Sequence, residues 1–348
     1  MQIERRYSVG FDSEWDVGAV GSLLRGARRV VLVAHTHADG DAVGSLTGMY
    51  ALLTTLGSAT VTPMLPDGVP DELNWLPGAA RVLDGRRDAQ RCLEAIAQAD
   101  VIVGLDISSF GRTDRLEESL RAAKAKKLLV DHHIEPDREA FDIVVSDPEA
   151  SSTCELVYWL MRETFGHELF TREAATCLYT GICTDTGTFS FSNDRESVYL
   201  AAAELLGYGI DPKAINLNIK NVFTVPRMLF FGYAIAHRLT VYEERKVALM
   251  VLTAEEMRRY GVESDELTGL INEVMRLKDI DCAILVREST GDKSTVRLSL
   301  RSKTLYDVNQ LAREMFPSGG GHKCAAGATS TVSLEETVEI VKRKLELK

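Results

Sequence analysis

The feature that most limits how this chain can fold is a set of short Val, Ile and Leu runs that each end on an aspartate or histidine. Arg29 to Ala34 runs into His35, Val101 to Leu105 into Asp106, and Lys127 to Val130 into Asp131-His132-His133. None of the three alternates apolar with polar residues, so each reads as a strand covered on both faces rather than one. A helix-period segment, Val43 to Gly57, and a further strand, Ala59 to Leu65, separate them. Buried strands divided by helices imply an α/β fold with a parallel sheet and helices on both faces. In such sheets ligands bind beyond the C-terminal strand ends, which is where the polar residues stand.

At 348 residues the chain is longer than one hydrophobic core usually fills. Ser151 to about Gly209 is helical in period, with Leu156, Val157, Leu160 and Met161 on one face and Ser152 and Glu155 spaced as a capping box. Residues 211–239 are again helical, with Pro226 suited to a helix start, and read as a connector. After Thr240 a second α/β pattern begins. Its strands are expected at Val247 to Leu252, Ile280 to Arg287 and Ser294 to Arg301, and its helices around Glu255 to Tyr260, Asp265 to Met275, Asp307 to Met315 and from Leu334. The expected domains are therefore 1–210, the connector 211–239 and a smaller α/β domain, 240–348. No internal repeat is present.

Charge narrows the partners. With 51 acidic against 40 basic side chains the formal net charge is −11, which excludes long duplex DNA, whose backbone demands a broad basic surface. A small phosphorylated ligand remains compatible if cations and a few local Arg, Lys and Gly residues supply the positive field. The N-terminal segment lacks the apolar stretch of a signal peptide, and no run approaches the roughly 18 apolar residues of a membrane helix, so a cytoplasmic protein without a membrane partner is expected. The six cysteines form no C-x-x-C pair and read as reduced thiols, not as zinc ligands or disulfides.

Five constellations carry chemistry. His35, Asp39 and Asp41 lie in His35-Thr36-His37-Ala38-Asp39-Gly40-Asp41, on a strand-to-helix turn that can fold the three side chains together; Asp41 as a simple helix cap is the alternative. Asp106 follows its strand with Ser108 and Arg112 nearby, and by itself also fits a turn residue. Asp131-His132-His133 sets two imidazoles beside an acid at a strand end. Asp185 sits where a helical pattern breaks into a Gly/Thr turn. Imidazole and carboxylate donors suit manganese or a similar divalent ion, and six such residues, His35, Asp39, Asp41, Asp106, His132 and Asp185, are enough for two. The fifth constellation, Gly319-Gly320-Gly321-His322 with Arg297 and Arg301-Ser302 upstream, combines a glycine loop that can present amides to an anion with a guanidinium that can clamp a phosphate; a plain flexible turn is the alternative.

In order and spacing these motifs resemble the DHH phosphoesterase superfamily, and Ser299 to Ser302 with Gly319 to Gly327 resembles its DHHA1 substrate domain. The two-domain size and the G-G-G-H-x-x-A-A-G pattern are similar to the nanoRNase/pAp phosphatase group, although Cys324 stands where many relatives carry Asn. The resemblance implies hydrolysis of short oligonucleotides to mononucleotides, removal of the 3′-phosphate of pAp, or both. It implies that His35, Asp39 and Asp106 hold one divalent ion and Asp41, Asp106, His132 and Asp185 the other, with Mn²⁺ the expected metal. Asp106, Asp131, His132 and His133 would form the catalytic group. His133, Arg301, Ser302, Gly319, Gly320, Gly321 and His322 would meet substrate, and water would attack phosphorus without a protein nucleophile. A cyclic or linear dinucleotide phosphodiesterase and a non-catalytic nucleotide-binding regulator are the rival readings; the oligomeric state stays open, with a homodimer as the assembly considered.

Overall fold

The computed structural model describes residues 15–57, 59–191, 194–220, 223–267, 269–292 and 294–347. The chain divides into two compact units, Met1–Val222 and Phe223–Lys348. The residues read as a connector, 211–239, divide between them. No described helix is long and apolar enough to cross a membrane.

In the first unit the strands are β1 (Arg29–Val33), β2 (Thr60–Leu65), β3 (Leu83–Asp84), β4 (Val101–Leu105), β5 (Lys126–Asp131) and β6 (Ile143–Ser146). The helices are α1 (Val17–Gly26), α2 (Gly40–Leu56), α3 (Ala89–Gln98), α4 (Glu117–Ala122), α5 (Thr153–Phe165), α6 (Arg172–Asp185), α7 (Glu196–Leu206) and α8 (Pro212–Lys220). The strands pair in parallel in the order β3-β2-β1-β4-β5-β6. The chain thus steps outward from β1 to β3, returns, and steps out again on the other side of β1. That reversal opens a crevice beyond the C-terminal ends of β1 and β4.

The two-sided burial expected of these strands is present. Val30 and Leu32 of β1 pack with Leu46 and Met49 of α2 on one face, while Val31 and Val33 pack with Cys92 and Ile96 of α3 on the other. Each such side chain contributes about 1.5–3 kcal/mol of transfer free energy, so a polar residue at any of them is costly. Helices α2 and α6 approach at backbone distance. A Cβ on Gly44 would meet the Cys177 carbonyl at 2.7 Å, and one on Gly181 would meet Cys154 Sγ at 2.2 Å and Asp41 Oδ1 at 2.9 Å. Strands β3 and β6, not anticipated above, are two- and four-residue pieces at the two edges, too short to leave a periodic signal.

The second unit comprises α9 (Val225–Arg238), β7 (Leu239–Tyr242), β8 (Val247–Leu252), α10 (Ala254–Tyr260), α11 (Leu270–Val274), β9 (Cys282–Glu288), β10 (Val296–Ser302), α12 (Val308–Met315), β11 (Gly320–His322), β12 (Ala325–Ser330) and α13 (Leu334–Lys344). The sheet order is β11-β12-β10-β9-β8-β7, with β8 and β9 parallel and the other neighbours antiparallel. The helix expected over Asp265 to Met275 is a short 3-10 turn, Ser264–Leu267, followed by α11, with Thr268 outside the described residues.

One face of this sheet packs Leu298 and Leu300 against α12 and α13; over β8 and β9 the other face packs Met250 and Leu285 against α9, α10 and α11. Along β10 the alternation is strict, with Val296, Leu298, Leu300 and Ser302 buried and Arg297, Ser299 and Arg301 on the opposite face.

The glycine run expected as a loop is in part a strand, β11. A Cβ on Gly319 would stand 2.1 Å from the Ala312 carbonyl at the end of α12, and one on Gly321, whose φ is +141°, would stand 2.4 Å from the Ala325 carbonyl. Close passage of backbones therefore demands these two glycines. Glycine's low strand propensity hid the strand.

Candidate metal centre and active site

Three strand ends and one helix end converge in the first unit. His35 follows β1 by two residues, Asp106 follows β4, and Asp131-His132-His133 closes β5. Asp39 caps α2, its Oδ1 accepting from the amides of Asp41 and Ala42, so the capping role considered for Asp41 belongs to Asp39. Asp41 lies in the first turn of α2 and Asp185 ends α6, and the close α2–α6 contact brings them together. Asp106 has φ +61°, a left-handed conformation sparsely populated by non-glycine residues. Such strain persists only where the surroundings enforce it.

Two clusters result. His35 Nε2 stands 3.3 Å from Asp106 Oδ2 and 4.0 Å from Asp39 Oδ1. His132 Nε2 stands 3.6 Å from Asp106 Oδ1, 3.9 Å from Asp41 Oδ2 and 3.3 Å from Asp185 Oδ2. The two oxygens of Asp106 thus face different clusters. The groups His35, Asp39 and Asp106 on one side and Asp41, His132 and Asp185 on the other each bring their ligand atoms within 4.8 Å of one another, close enough for a shared cation. His133 Nδ1 lies 2.8 Å from Asp131 Oδ1 and 3.3 Å from Asp106 Oδ1, and Asp106, His132 and His133 form a further group of ligand atoms within 4.8 Å of one another.

The electrostatics test whether a cation fits. Burial, reinforced by the charge of Asp106, pushes the Asp41 carboxyl up to about 7. Burial with the charges of Asp41 and Asp39 pushes Asp185 well above the usual carboxylate range. Burial opposes ionisation of Asp106 too, but the hydrogen bond from His35 and the charges of His35, His132 and His133 hold it well below that range. His35 and His132, whose burial disfavours charge, are nevertheless raised by Asp106 and its neighbours. Asp41 and Asp185, pushed up by burial among like charges, and His35 and His132, raised by the acids beside them, are biased toward added positive charge, and the hard O and N donors match a divalent ion. The donor set fits.

Two contributors escaped the sequence reading. The amides of Thr153 and Cys154, at the start of α5, donate to Asp41 Oδ2 and Oδ1 at 2.7 and 2.9 Å, and the Thr153 hydroxyl donates to Asp106 Oδ1 at 3.1 Å. A helix N-terminus is an anion site, and here its anion is a side chain from a distant element. Ser152 does cap α5, accepting from the Glu155 amide, but Glu155 returns its carboxylate to the Ser151 amide rather than to Ser152, so the expected capping box is only half formed. That cap signal marked a helix start without showing what its amides would hold. Arg112, which the sequence set near Asp106 without a role, is the second, 3.1 Å from His133 Nε2 and 3.3 Å from the Asp106 carbonyl.

In the second unit, register sets His322, Ala325 and Arg301 in one row across β11, β12 and β10. Directly opposed residues of antiparallel strands share a face, so Arg301 and His322 flank the small Ala325. Arg301 Nη1 donates to its neighbour's carbonyl, Leu300 O, at 3.0 Å; no carboxylate among the described residues lies within 4.0 Å, and burial holds its pKa below the ordinary value. A half-buried guanidinium without a described acid beside it favours an incoming anion. Ser302 faces inward, its hydroxyl donating to Asp281 Oδ2 at 3.0 Å. The Gly319 amide donates to the Phe316 carbonyl, and Gly320, Gly321 and His322 pair with Gly327, Ala326 and Ala325 of β12.

Residues 29–182 match the DHH family, N-terminal domain, and residues 245–347 match the DHHA1 domain. An exopolyphosphatase-related protein from Bacteroides fragilis, known from a crystal structure, is 32% identical and superposes with a TM-score of 0.90 over 95% of each chain. The chain belongs to the DHH family. Among its relatives in this family, a bifunctional oligoribonuclease and PAP phosphatase of Thermus thermophilus is 29% identical over 89% of this chain and 87% of that protein. A protein of the same description from Bacillus subtilis is 26% identical over 86% of this chain and 88% of its own length. The DHH match contains His35, Asp39, Asp41, Asp106 and His132 and stops short of Asp185, and the DHHA1 match contains the Arg301 and His322 row.

Proposed function

We propose that this chain is a metal-dependent phosphohydrolase that degrades short oligonucleotides to mononucleotides and removes the 3′-phosphate of pAp. The observation that carries the reading is the meeting of His35, Asp39, Asp41, Asp106, His132 and the end of α6 at the β1/β4 crevice. Relatives described as oligoribonuclease and PAP phosphatase along most of the chain supply the substrate class. The two clusters are read as sites for two divalent ions, Mn²⁺ above all, with Asp106 shared and Asp185 completing the second. Such ions supply Lewis acidity toward phosphoryl oxygens and lower the pKa of water toward neutrality.

The chain's own groups do the rest. Thr153 and Cys154 hold Asp41 and Asp106 in place through three hydrogen bonds. Asp131 orients His133 toward the reacting phosphate. Arg301 and His322 bind a phosphate oxygen, and Ser302 acts through Asp281 by shaping the turn after β10. Water is the nucleophile: its oxygen bonds to phosphorus, the ester P–O bond breaks, and the leaving oxygen takes a proton. A thiolate is disfavoured, since burial raises Cys154 well above its ordinary pKa and raises Cys183 to about 11.

The deciding experiment incubates the pure chain with Mn²⁺ and separately with di- to decanucleotides, a 24-mer, pAp, cyclic di-AMP and pyrophosphate. Dinucleotides and pAp should be consumed and the 24-mer nearly spared, and chelator should stop turnover. Preference for pyrophosphate or the cyclic dinucleotide, or equal kcat/KM on dimer and 24-mer, would overturn the reading.

A further inference from the structure

The turn after β4 carries a cation that the roles above leave unused. Arg112 lies in a 3-10 segment, Phe110–Leu116, and its carbonyl accepts from the Thr36 amide at 2.9 Å, tying the turn after β4 to the turn after β1. Its Nη1 lies 3.1 Å from His133 Nε2 and 3.3 Å from the Asp106 carbonyl. A guanidinium only donates, so His133 Nε2 accepts; the ring proton then sits on Nδ1 and is donated to Asp131 Oδ1 at 2.8 Å. Asp131, His133 and Arg112 therefore form a directional chain that fixes the guanidinium.

Arg112 is hydrogen-bonded to the backbone of Asp106, yet no described carboxylate lies within 4.0 Å of it, and both of its hydrogen bonds leave from Nη1. Its Nε and Nη2 donors make no hydrogen bond among the described residues. A half-buried guanidinium held by a ring nitrogen and a carbonyl, with a planar pair of donors uncommitted, is built for two oxygens of one anionic group.

We propose that Arg112 binds the non-bridging oxygens of the phosphoryl group under attack and stabilises the charge that develops there, which makes it a catalytic residue of the first unit. The proposal rests on the phosphohydrolase reading and deepens it. Donors aimed at developing charge are commonly the largest single contribution to such reactions.

Three variants separate this from a merely structural role. Arg112→Gln keeps a donor for His133 and the Asp106 carbonyl but carries no charge, Arg112→Lys keeps charge without the planar fork, and Arg112→Ala keeps neither. Expected is a fall in kcat on a dinucleotide of about 100-fold for the Ala and Gln variants and less for Lys. Added guanidinium should raise the rate of Arg112→Ala alone, and Mn²⁺ content should stay at the parent value. Inorganic phosphate, titrated calorimetrically into the Mn²⁺-loaded chain, should bind about tenfold more weakly to Arg112→Ala. Parent-like kcat in Arg112→Gln, metal lost from Arg112→Ala, or unchanged phosphate affinity would each overturn the assignment. If the parent chain cleaves no phosphate ester, the reading of its function fails, while the phosphate titration still decides the role of Arg112.

Discussion

Asp41 and Asp281 are both buried acids near the end of a sheet, one in each unit, and they are displaced in opposite directions. Asp41 accepts from two backbone amides, but burial and the charges of Asp106 and Asp39 drive its carboxyl up. Burial works the same way on Asp281, yet the Leu305 amide and the Ser302 and Thr304 groups that donate to it outweigh that cost and pull it down. The nearest functional groups of the second unit are cationic and glycyl, those of the first acidic and imidazole. Two α/β units with similar layering thus gather opposite charge at their ligand faces, one suited to cations and the other to anions. Burial pushes both acids up; like-charged neighbours add to it at Asp41, whereas donated hydrogen bonds overcome it at Asp281.

The sharpest way to break this division is Asp106→Asn, which removes a charge serving both clusters of the first unit. Activity should fall on the order of 10³-fold or more, beyond the 10- to 100-fold typical for partners outside the ligand shell. Bound Mn²⁺, measured by metal analysis, should fall with it. A variant that keeps its metal and turnover would remove Asp106 from the shared position.

Next in size, Arg301→Ala and His322→Ala should leave metal content unchanged and lower kcat/KM by roughly 10- to 100-fold, the equivalent of about 1.5–3 kcal/mol for a charge-assisted contact. Steady-state kinetics beside metal analysis decide it. Loss of metal from either would erase the contrast between the two units.

Gly181→Ala tests how far helix packing reaches into the cation site. The added methyl falls on Cys154 Sγ and Asp41 Oδ1, so we expect a stability loss of about 1–3 kcal/mol, read from denaturant unfolding. Weaker Mn²⁺ binding by titration calorimetry should accompany it. Unchanged metal affinity would separate the α2–α6 contact from the geometry of Asp41.

The smallest effects are those of pH on the metal-free chain. The folded pKa of Asp41, about 7, lies above its unfolded value near 3.8, so its contribution is fully present below about pH 4 and is lost as pH rises through 7. For Asp281 the folded value is depressed, so its contribution is present above pH 4 and disappears as pH falls through the folded pKa. In EDTA, Asp41→Asn should therefore gain thermal stability relative to the parent between pH 5 and 8. The deficit of Asp281→Asn should shrink below pH 4. Parallel pH profiles for the two variants would show that the two acids do not differ in the way described.

Much of the first unit was legible because a doubly covered parallel strand leaves a continuous apolar run, and its polar end residue is conspicuous. Val101 to Leu105 and its Asp106 were read from that pattern alone, and Val247 to Leu252 in the second unit likewise. Edge pieces such as β3, β6 and β7 left no such run. Strand β12, Ala325–Ser330, pairs through small residues that carry little hydrophobic signal. The amino-acid sequence by itself determined which residue types stand at each strand end, because periodicity and residue chemistry are local. Only the tertiary structure decided that β4 lies beside β1, that α6 delivers Asp185 to His132, that the amides of α5 are committed to Asp41, and that Arg112 leans on His133 rather than on an acid. Those are contacts between segments tens to more than a hundred residues apart, fixed by strand order and by helix crossings such as the one at Gly181, and local sequence carries no trace of either.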